Sequence, residues 1–467
     1  MNNNGDTMSH EIAVSSEEPR WEGVREVMGM AWPIVLGSLS FTVMEFCDKW
    51  MVSKLGTESL AAVGSAGLWS YTLSTVLLGI VGCVSTFVAQ SLGRGETHHC
   101  ARYAWQGIYL SVIAGLLALL LWPVSGPLFR SMGHGEVVTS LELSYFRIRL
   151  FGYIPMAWMT ALAAFFQAVN HPRVPMYMAI IANTANIAMN YVFIFGKLGF
   201  PALGIQGAAM ATVIAQLLQA SLLHGVFISR RYHDAFGTRT AHRVDRRRIG
   251  ELVRIGLPSG MGMFLDIFNW GIFTSFVIGY FGAVALASHN IAVSFLHVSF
   301  MPAVGVNQAI AAIVGRWIGR GDVPRAKART YTAIKICMAY MAVIGLIFAV
   351  GGRHLIAAIF SKEPEVILLG WKLLVLAAIF QAFDAVNITC LGALRGAGDT
   401  RWVMWATFIG AYAFFLPLAL ILAFPLKGGA FGAWIGTTAY VILISGVLFR
   451  RFQGERWRSI NIFTAEK

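Results

Sequence analysis

Between residues 31 and 450 the sequence is a near-continuous series of apolar runs, each about as long as the roughly 20 residues that cross a bilayer core about 30 Å thick. In hydrocarbon every backbone amide and carbonyl must be paired internally, and these runs lack the period-two alternation of barrel strands. Helices are the remaining solution. Twelve spans are expected, beginning near Ala31, Leu60, Tyr103, Leu143, Pro175, Gly207, Leu252, Leu286, Arg329, Gly370, Trp402 and Ala430. The expected fold class is all-α, a polytopic membrane protein of twelve transmembrane helices. Composition agrees: 57% of the 467 residues are hydrophobic and 13% charged, where soluble domains average about 25% charged.

The net charge of +13 would suit nucleic acid if it covered a surface, but it is concentrated in alternate connections. Segment 230–254 holds Arg230, Arg231, Arg239, Arg243, Arg246, Arg247, Arg248 and Arg254, and the connection after the eighth span holds Arg316, Arg320, Arg325, Lys327 and Arg329. The C-terminal segment adds Arg450, Arg451, Arg456, Arg458 and Lys467. The intervening connections carry only scattered charges such as Lys54, Arg130, Lys197, Arg353, Lys362 and Lys427. By the positive-inside rule the basic connections face the cytoplasm, which puts both termini there and makes the chain a multi-pass protein of the plasma membrane, the inner membrane in a bacterium. Topology accounts for the basic balance, so the expected partner is the lipid bilayer and not nucleic acid. Residues 1–30 are polar and acidic, with no apolar stretch ahead of a small-residue cleavage site; they read as a disordered cytoplasmic tail, not a signal peptide. Cys47, Cys83, Cys100, Cys337 and Cys390 are isolated and lack metal-ligand spacing, so they read as packing residues.

The chain repeats itself at an offset of 226 residues. Leu55-Gly56 and Leu60-Ala61-Ala62 fall on Phe281-Gly282 and Leu286-Ala287-Ser288, and Gly93-Arg94-Gly95-Glu96 falls on Gly319-Arg320-Gly321-Asp322. Leu203-Gly204-Ile205-Gln206-Gly207-Ala208 resembles Gly428-Gly429-Ala430-Phe431-Gly432-Ala433 at a shift of 225. Each half has six spans, an even number, so both insert the same way up as parallel repeats, with a solute site expected between them. The expected organisation is an N-terminal tail (1–30), an N-lobe (31–229), a basic linker (230–251), a C-lobe (252–450) and a C-terminal tail (451–467).

An acid at mid-span costs about 2.5 to 3.5 kcal/mol, several times what one Leu or Phe returns, so it needs a reason to be there. Asp266 lies in the middle of the seventh span and Asp384 in the middle of the tenth. Gln381, Asp384 and Asn387 form one stripe by their spacing of three, and Asn269 follows Asp266 by the same interval. In the first span Glu45 and Asp48 share a face beyond Pro33; with Lys49 and Lys54 adjacent, Asp48 fits a buried ion site or an interfacial ion pair. Asn183, Asn186 and Asn190 form a stripe on the fifth span, and Thr212 on the sixth is a further polar candidate. Their oxygens are hard ligands of the kind Na⁺ takes, although such residues also join membrane helices. Phe41, Phe268, Trp270 and Phe383 are candidates to line a cavity for flat cations by cation-π contact.

Several separated motifs together resemble the multidrug and toxic compound extrusion (MATE) family, NorM-like members in particular, over nearly the whole chain. They are Asp48-Lys49-Trp50-Met51-Val52, Asn190-Tyr191-Val192-Phe193-Ile194-Phe195-Gly196, Gly207-Ala208-Ala209-Met210-Ala211-Thr212, and Gly392-Ala393-Leu394-Arg395-Gly396 with Gly398-Asp399-Thr400. The resemblance implies that Asp48, Asn186 and Asn190 match an N-lobe cation site, a candidate home for Na⁺, and that Asp266 and Asp384 match a C-lobe acidic pair. Asp266 stands where NorM-like relatives usually have glutamate, and Asn190 where another branch has aspartate, so H⁺ and Na⁺ both stay open as coupling ions. The implied function is ion-coupled antiport of cationic, amphiphilic organic compounds by alternating access, in a monomer with no cofactor. The alternatives are a lipid-linked oligosaccharide flippase, which would want a cationic cavity, and an integral membrane enzyme acting on lipid carriers, which would want acids or histidines clustered in aqueous loops. Neither requirement is met by the sequence.

Overall fold

The computed structural model describes residues 20–454 and 456–464. Its elements are helices, with no strand among the described residues. The first half comprises α1 (Arg20–Ser53), α2 (Thr57–Gly82), α3 (Val84–Gly93), α4 (Thr97–Ala118), α5 (Leu121–Arg130), α6 (Glu136–Phe151), α7 (Tyr153–Ala168), α8 (Arg173–Phe195) and α9 (Gly204–Phe227). A short α10 (Arg230–Phe236) opens the basic linker. The second half comprises α11 (Arg246–Ile272), α12 (Gly282–Gly319), α13 (Val323–Ile359), α14 (Pro364–Ala397), α15 (Thr400–Ile409), α16 (Leu416–Ala423) and α17 (Gly429–Gln453), with π-helical turns at Phe273–Ile278 and Gly410–Phe415.

Among the described residues nine helical stretches are long and apolar enough to cross a membrane, and the bent pairs α4/α5 (49°) and α6/α7 (44°) add two more. One of the nine, Arg246–Gly319, has 74 residues; at 1.5 Å per residue it would run about 110 Å, more than three bilayer cores. It is two spans that reverse near Gly282, whose φ of +86° only glycine adopts at little cost. Twelve spans result. The repeat is also written in the backbone: Gly56 and Gly282 both have positive φ, as do Gly95 and Gly321 (+80° and +77°) and Gly204 and Gly429 (+55° and +57°).

The N-terminal half packs around Phe87, Tyr103, Phe146, Phe165 and Phe227. The C-terminal half has one cluster around Phe273, Leu374, Phe415 and Trp434 and another, nearer the basic loops, around Ile310, Leu394, Phe452 and Trp457. Helix α1 reaches into this last cluster through Val27, Met30, Ala31 and Ile34. Beside them Glu26 Oε2 accepts from Arg329 Nε at 2.6 Å, and Trp317 Nε1 donates to Glu26 Oε1 at 3.2 Å. The segment expected to be tail up to residue 30 is therefore helical from Arg20, because its few apolar residues have a partner surface on the other half. The disorder expected for residues 1–19 lies outside the described residues.

The halves meet on the side of the basic loops. Thr86 Oγ1 donates to the Arg395 carbonyl at 3.0 Å, and Gln90 Nε2 to that of Gly396 at 3.0 Å. Gly93 faces Gly319, its own counterpart in the repeat: a Cβ on Gly93 would stand 2.8 Å from the Gly319 Cα. The pseudo-two-fold axis passes between them. Gly256 and Gly260 of α11 lie equally close to Ile80 and Val76 of α2, and Gly305 of α12 lies against Val35 of α1. Small residues let two backbones approach where lipid supplies no hydrophobic force between helices. All these approaches lie in the half of the span nearest the basic loops. Beyond them Phe41 and Tyr71 on the first lobe and Asp266 and Phe268 on the second are accessible.

After α17 the chain crosses this seal. Trp457 is buried against Phe452 in the C-terminal half, and five residues later Ile462 is buried in the N-terminal cluster. Phe463 packs edge-on to Phe87, with the Arg94 guanidinium 4.2 Å from its ring centre. Thr464 donates from its backbone N to Glu251 Oε1 at 2.8 Å, and Tyr103 OH donates to Glu251 Oε2 at 2.5 Å. The tail expected over residues 451–467 is thus, through Thr464, a strap held to both halves.

Candidate cation and solute sites

In the N-terminal half two helices bring polar side chains together. Helix α1 presents Glu45 and Asp48 one turn apart, and α8 presents Asn183, Asn186 and Asn190 at successive turns. Asn190 Nδ2 donates to Asp48 Oδ1 and also to Asn186 Oδ1 at 2.9 Å. Asn186 Nδ2 and Asn190 Oδ1 are buried without a partner, an expensive state for two amides that are themselves 0% exposed. The cluster therefore retains unused donor and acceptor capacity. Asn183 is not part of it; its Nδ2 donates to Ser40 Oγ at 2.8 Å and ties α8 to α1. Thr212 donates its hydroxyl hydrogen to the Ala208 carbonyl of its own helix at 2.9 Å. Lys54 lies over the Trp50 ring, 5.3 Å from its centre, so its charge is engaged there. Arg149 of α6, which sequence reasoning did not single out, lies within electrostatic reach of Asp48, and its Nη1 is buried without a hydrogen bond.

In the C-terminal half Asp384 of α14 accepts from Asn387 Nδ2 at 3.0 Å. Asp266 of α11 feels the Asp384 charge, and Tyr440 of α17 lies within the field of both acids. Asp266 is accessible although it sits at mid-span. Behind the acids two buried amides have no partner at either end, Gln381 (1% exposed) and Asn269 (3%). Phe41, Phe268 and Phe383 are accessible, and Phe268 stacks on Phe264 at 5.7 Å. Trp270 differs: it packs edge-on to Phe273 within the C-terminal core.

Two other features escaped the sequence. His289 of α12 accepts from Trp434 Nε1 at 3.2 Å and meets Thr274 Oγ1 at 2.9 Å, a buried tie among α12, α17 and the first π turn. Tyr440 stacks on Phe415 of the second π turn with centres 5.2 Å apart. A one-residue insertion rotates the rest of a helix relative to its first part, and such bulges are common at functional sites; period-3.6 reasoning cannot anticipate them. Asp399 and Thr400 prove to be structural: Asp399 Oδ2 pairs with Arg451 Nε at 2.7 Å, and Thr400 Oγ1 donates to the Ile255 carbonyl at 2.6 Å.

Comparison with known proteins gives the same architecture. The family model MatE matches residues 33–192 and 258–421, one match in each half. The chain is 31% identical over 442 residues to the "Probable multidrug resistance protein NorM" of Mesorhizobium japonicum, covering 92% of this chain and 93% of that one. It is 30% identical over 435 residues to the "Multidrug resistance protein NorM" of Burkholderia vietnamiensis, covering 91% and 92%. In fold it superposes on the bent form of the Vibrio cholerae MATE transporter VcmN with a TM-score of 0.82 at 21% identity, covering 95% and 99%. With both halves matched by one family model and near-full-length relatives at this identity, the chain belongs to the MatE family of multidrug and toxic compound extrusion transporters.

Proposed function

We propose that this chain is an antiporter that exports cationic, amphiphilic small molecules by alternating access, driven by protons exchanged at Asp266 and Asp384. What supports this reading is the position of Asp266 and Asp384 at mid-span, with Phe268 and Phe383 accessible on the same two helices, in a fold whose halves approach closely on the side of the basic loops. An acid there can take up a proton from one side and release it to the other once the lobes have rocked, and it can attract an organic cation while charged. Phe268 and Phe383 offer dispersion and cation-π contact. A lipid-linked flippase would need cationic groups for a pyrophosphate, and the charges of the C-terminal cleft are acidic. The chain is proposed to work as a monomer in the plasma membrane with its basic loops and both termini in the cytoplasm, which makes the described state open to the outside.

Orientation is tested by cysteine labelling. Thiols introduced beside Arg239 and Asp322 are expected to react with impermeant reagents only from the cytoplasm, and those beside His134 and Glu363 only from outside; the reverse pattern refutes the orientation. The exporter reading is tested in inside-out vesicles, where a pH gradient alone should drive dye movement. Transport that ignores ΔpH and requires Na⁺ would remove the proposed coupling.

A further inference from the structure

Within the spans the halves are joined by glycine approaches and by the Thr86 and Gln90 hydrogen bonds, and lipid adds no hydrophobic force to hold them together. The C-terminal strap adds such a force. It touches only helix ends on the side of the basic loops: Arg94 just after α3, Gly398 just after α14, and the first turns of α11. Water competes for apolar surface there, so burying it is favourable.

The strap holds the two halves by different means. On the C-terminal half Trp457 is 1% exposed, its ring stacks on Phe452 with centres 5.5 Å apart, and its Nε1 donates to the Phe452 carbonyl at 2.5 Å. Helix α11 holds the far end: Arg254 Nη2 donates to the Ile462 carbonyl at 3.0 Å, and Arg247 Nε to Thr464 Oγ1 at 2.8 Å. The grip on the N-terminal half is apolar. Ile462 is 0% exposed within that half's cluster, and its Cγ2 also occupies the space beside Gly398 that a Cβ would need. Phe463 meets Phe87 and Tyr103 edge-on, with ring centres 5.7 and 6.0 Å away. Phe87 stands between Thr86 and Gln90, the two residues whose side chains bond across the seal. Ile462 and Phe463 are thus lodged where the halves would part.

We propose that residues 456–464 are a latch on the sealed state: opening on the basic side requires Ile462 and Phe463 to leave the N-terminal half, while Trp457 and α11 keep the strap on the C-terminal half. Parting α3 from α14 breaks the Thr86 and Gln90 hydrogen bonds. Because the strap is fixed to α17 and α11, the same movement draws both apolar side chains into water. Their exposure falls on the open state alone, so the latch shifts the equilibrium toward the sealed one. The grip is also releasable, since Phe463 is only half-buried and Thr464 is exposed. This goes beyond the exporter reading by giving control of the opening to a segment outside the spans, and it is tested without transport.

Ile462→Ala combined with Phe463→Ala removes the apolar grip and leaves Trp457 and the hydrogen bonds to α11 in place. Two reporters are read, each as the single cysteine of the full-length protein. Cys83 is buried against Ser259 of α11, and Cys337 is buried within the C-terminal half among Met341, Ala385 and Ile388. An impermeant maleimide on the basic side is expected to alkylate Cys83 on the order of 10- to 100-fold faster in the double variant than in the parent. Cys337 should stay as slow as in the parent. Where the double variant does not fold, Phe463→Ala alone takes its place, with a smaller rise at Cys83. Unchanged alkylation of Cys83 in a folded variant overturns the latch. An equal rise at both cysteines also overturns it, because the strap would then hold the fold and not the gate, and failure of both variants to fold does the same. Absence of ΔpH-driven dye movement would count against the exporter reading alone.

Discussion

Asp384→Asn is expected to leave the protein folded and to reduce ΔpH-driven dye movement to the leak of vesicles without protein. Asparagine has the shape of aspartate, and its carbonyl oxygen can still accept the Asn387 Nδ2 hydrogen bond seen at 3.0 Å. Removing the charge from a mid-span site also removes an insertion cost, so stability should not fall. What is lost is the exchangeable proton. Asp266→Asn should behave alike, because Asp266 is the other mid-span acid of this half and exchanges its proton in the same proposed cycle. The double variant should then be no worse than either single one, as is usual for residues that act together. The check is dye movement in inside-out vesicles under ΔpH, with equal amounts of monodisperse protein. Near-wild-type rates in a folded Asp384→Asn variant would show that the proton travels elsewhere.

The second large effect is expected at the seal between the halves. A Cβ on Gly256 would stand 2.6 Å from the Ile80 Cα, and one on Gly260 would stand 2.9 Å from the Val76 Cα. These are backbone atoms, so the strain cannot be relieved by a side-chain rotation; the helices must part. Valine at either position should cost the sealed state about 1 to 3 kcal/mol, which shifts a two-state equilibrium about 5- to 150-fold toward opening on the basic side. Cys83 is a native reporter: it is 0% exposed and lies against Ser259 of α11, with Arg395 of α14 nearby. With the other four cysteines replaced, its alkylation by an impermeant maleimide from the basic side should be slow in the parent and faster by that factor in Gly260→Val. Unchanged alkylation would mean that α2 and α11 do not form the gate.

The positions that sequence reasoning brought together and those it missed divide along a physical line. The family resemblance grouped Asp48 with Asn186 and Asn190, and Asp266 with Asp384; the mid-span depth of Asp266 and Asp384 is a local property that hydropathy reports. Arg149 was overlooked because Arg147 and Arg149 lie near the expected start of the fourth span at Leu143, where cations are unremarkable. The span in fact runs over α6 and α7, and the bend at Gly152 puts Arg149 in its middle. Thr212 and Trp270 went the other way: each shares the composition of its neighbours in the site, but one hydroxyl hydrogen is satisfied within its own turn and one ring faces the core.

By itself the sequence determined the solvent, the helical class, the number of spans and the repeat, and it put Asp266 and Asp384 at mid-span. Each follows from run length, from the requirement that backbone groups in lipid be paired within a helix, or from positions one repeat apart. The tertiary structure alone decided what lies beside what: Asn190 beside Asp48, Gly93 against Gly319, Trp457 and Phe463 across the seal, and α1 extended back to Arg20 by the surface it meets. Periodicity along one helix gives the face a residue occupies but not the neighbour across from it. That neighbour is chosen by how closely glycines let helices from distant parts of the chain approach, and by where a bend turns a span.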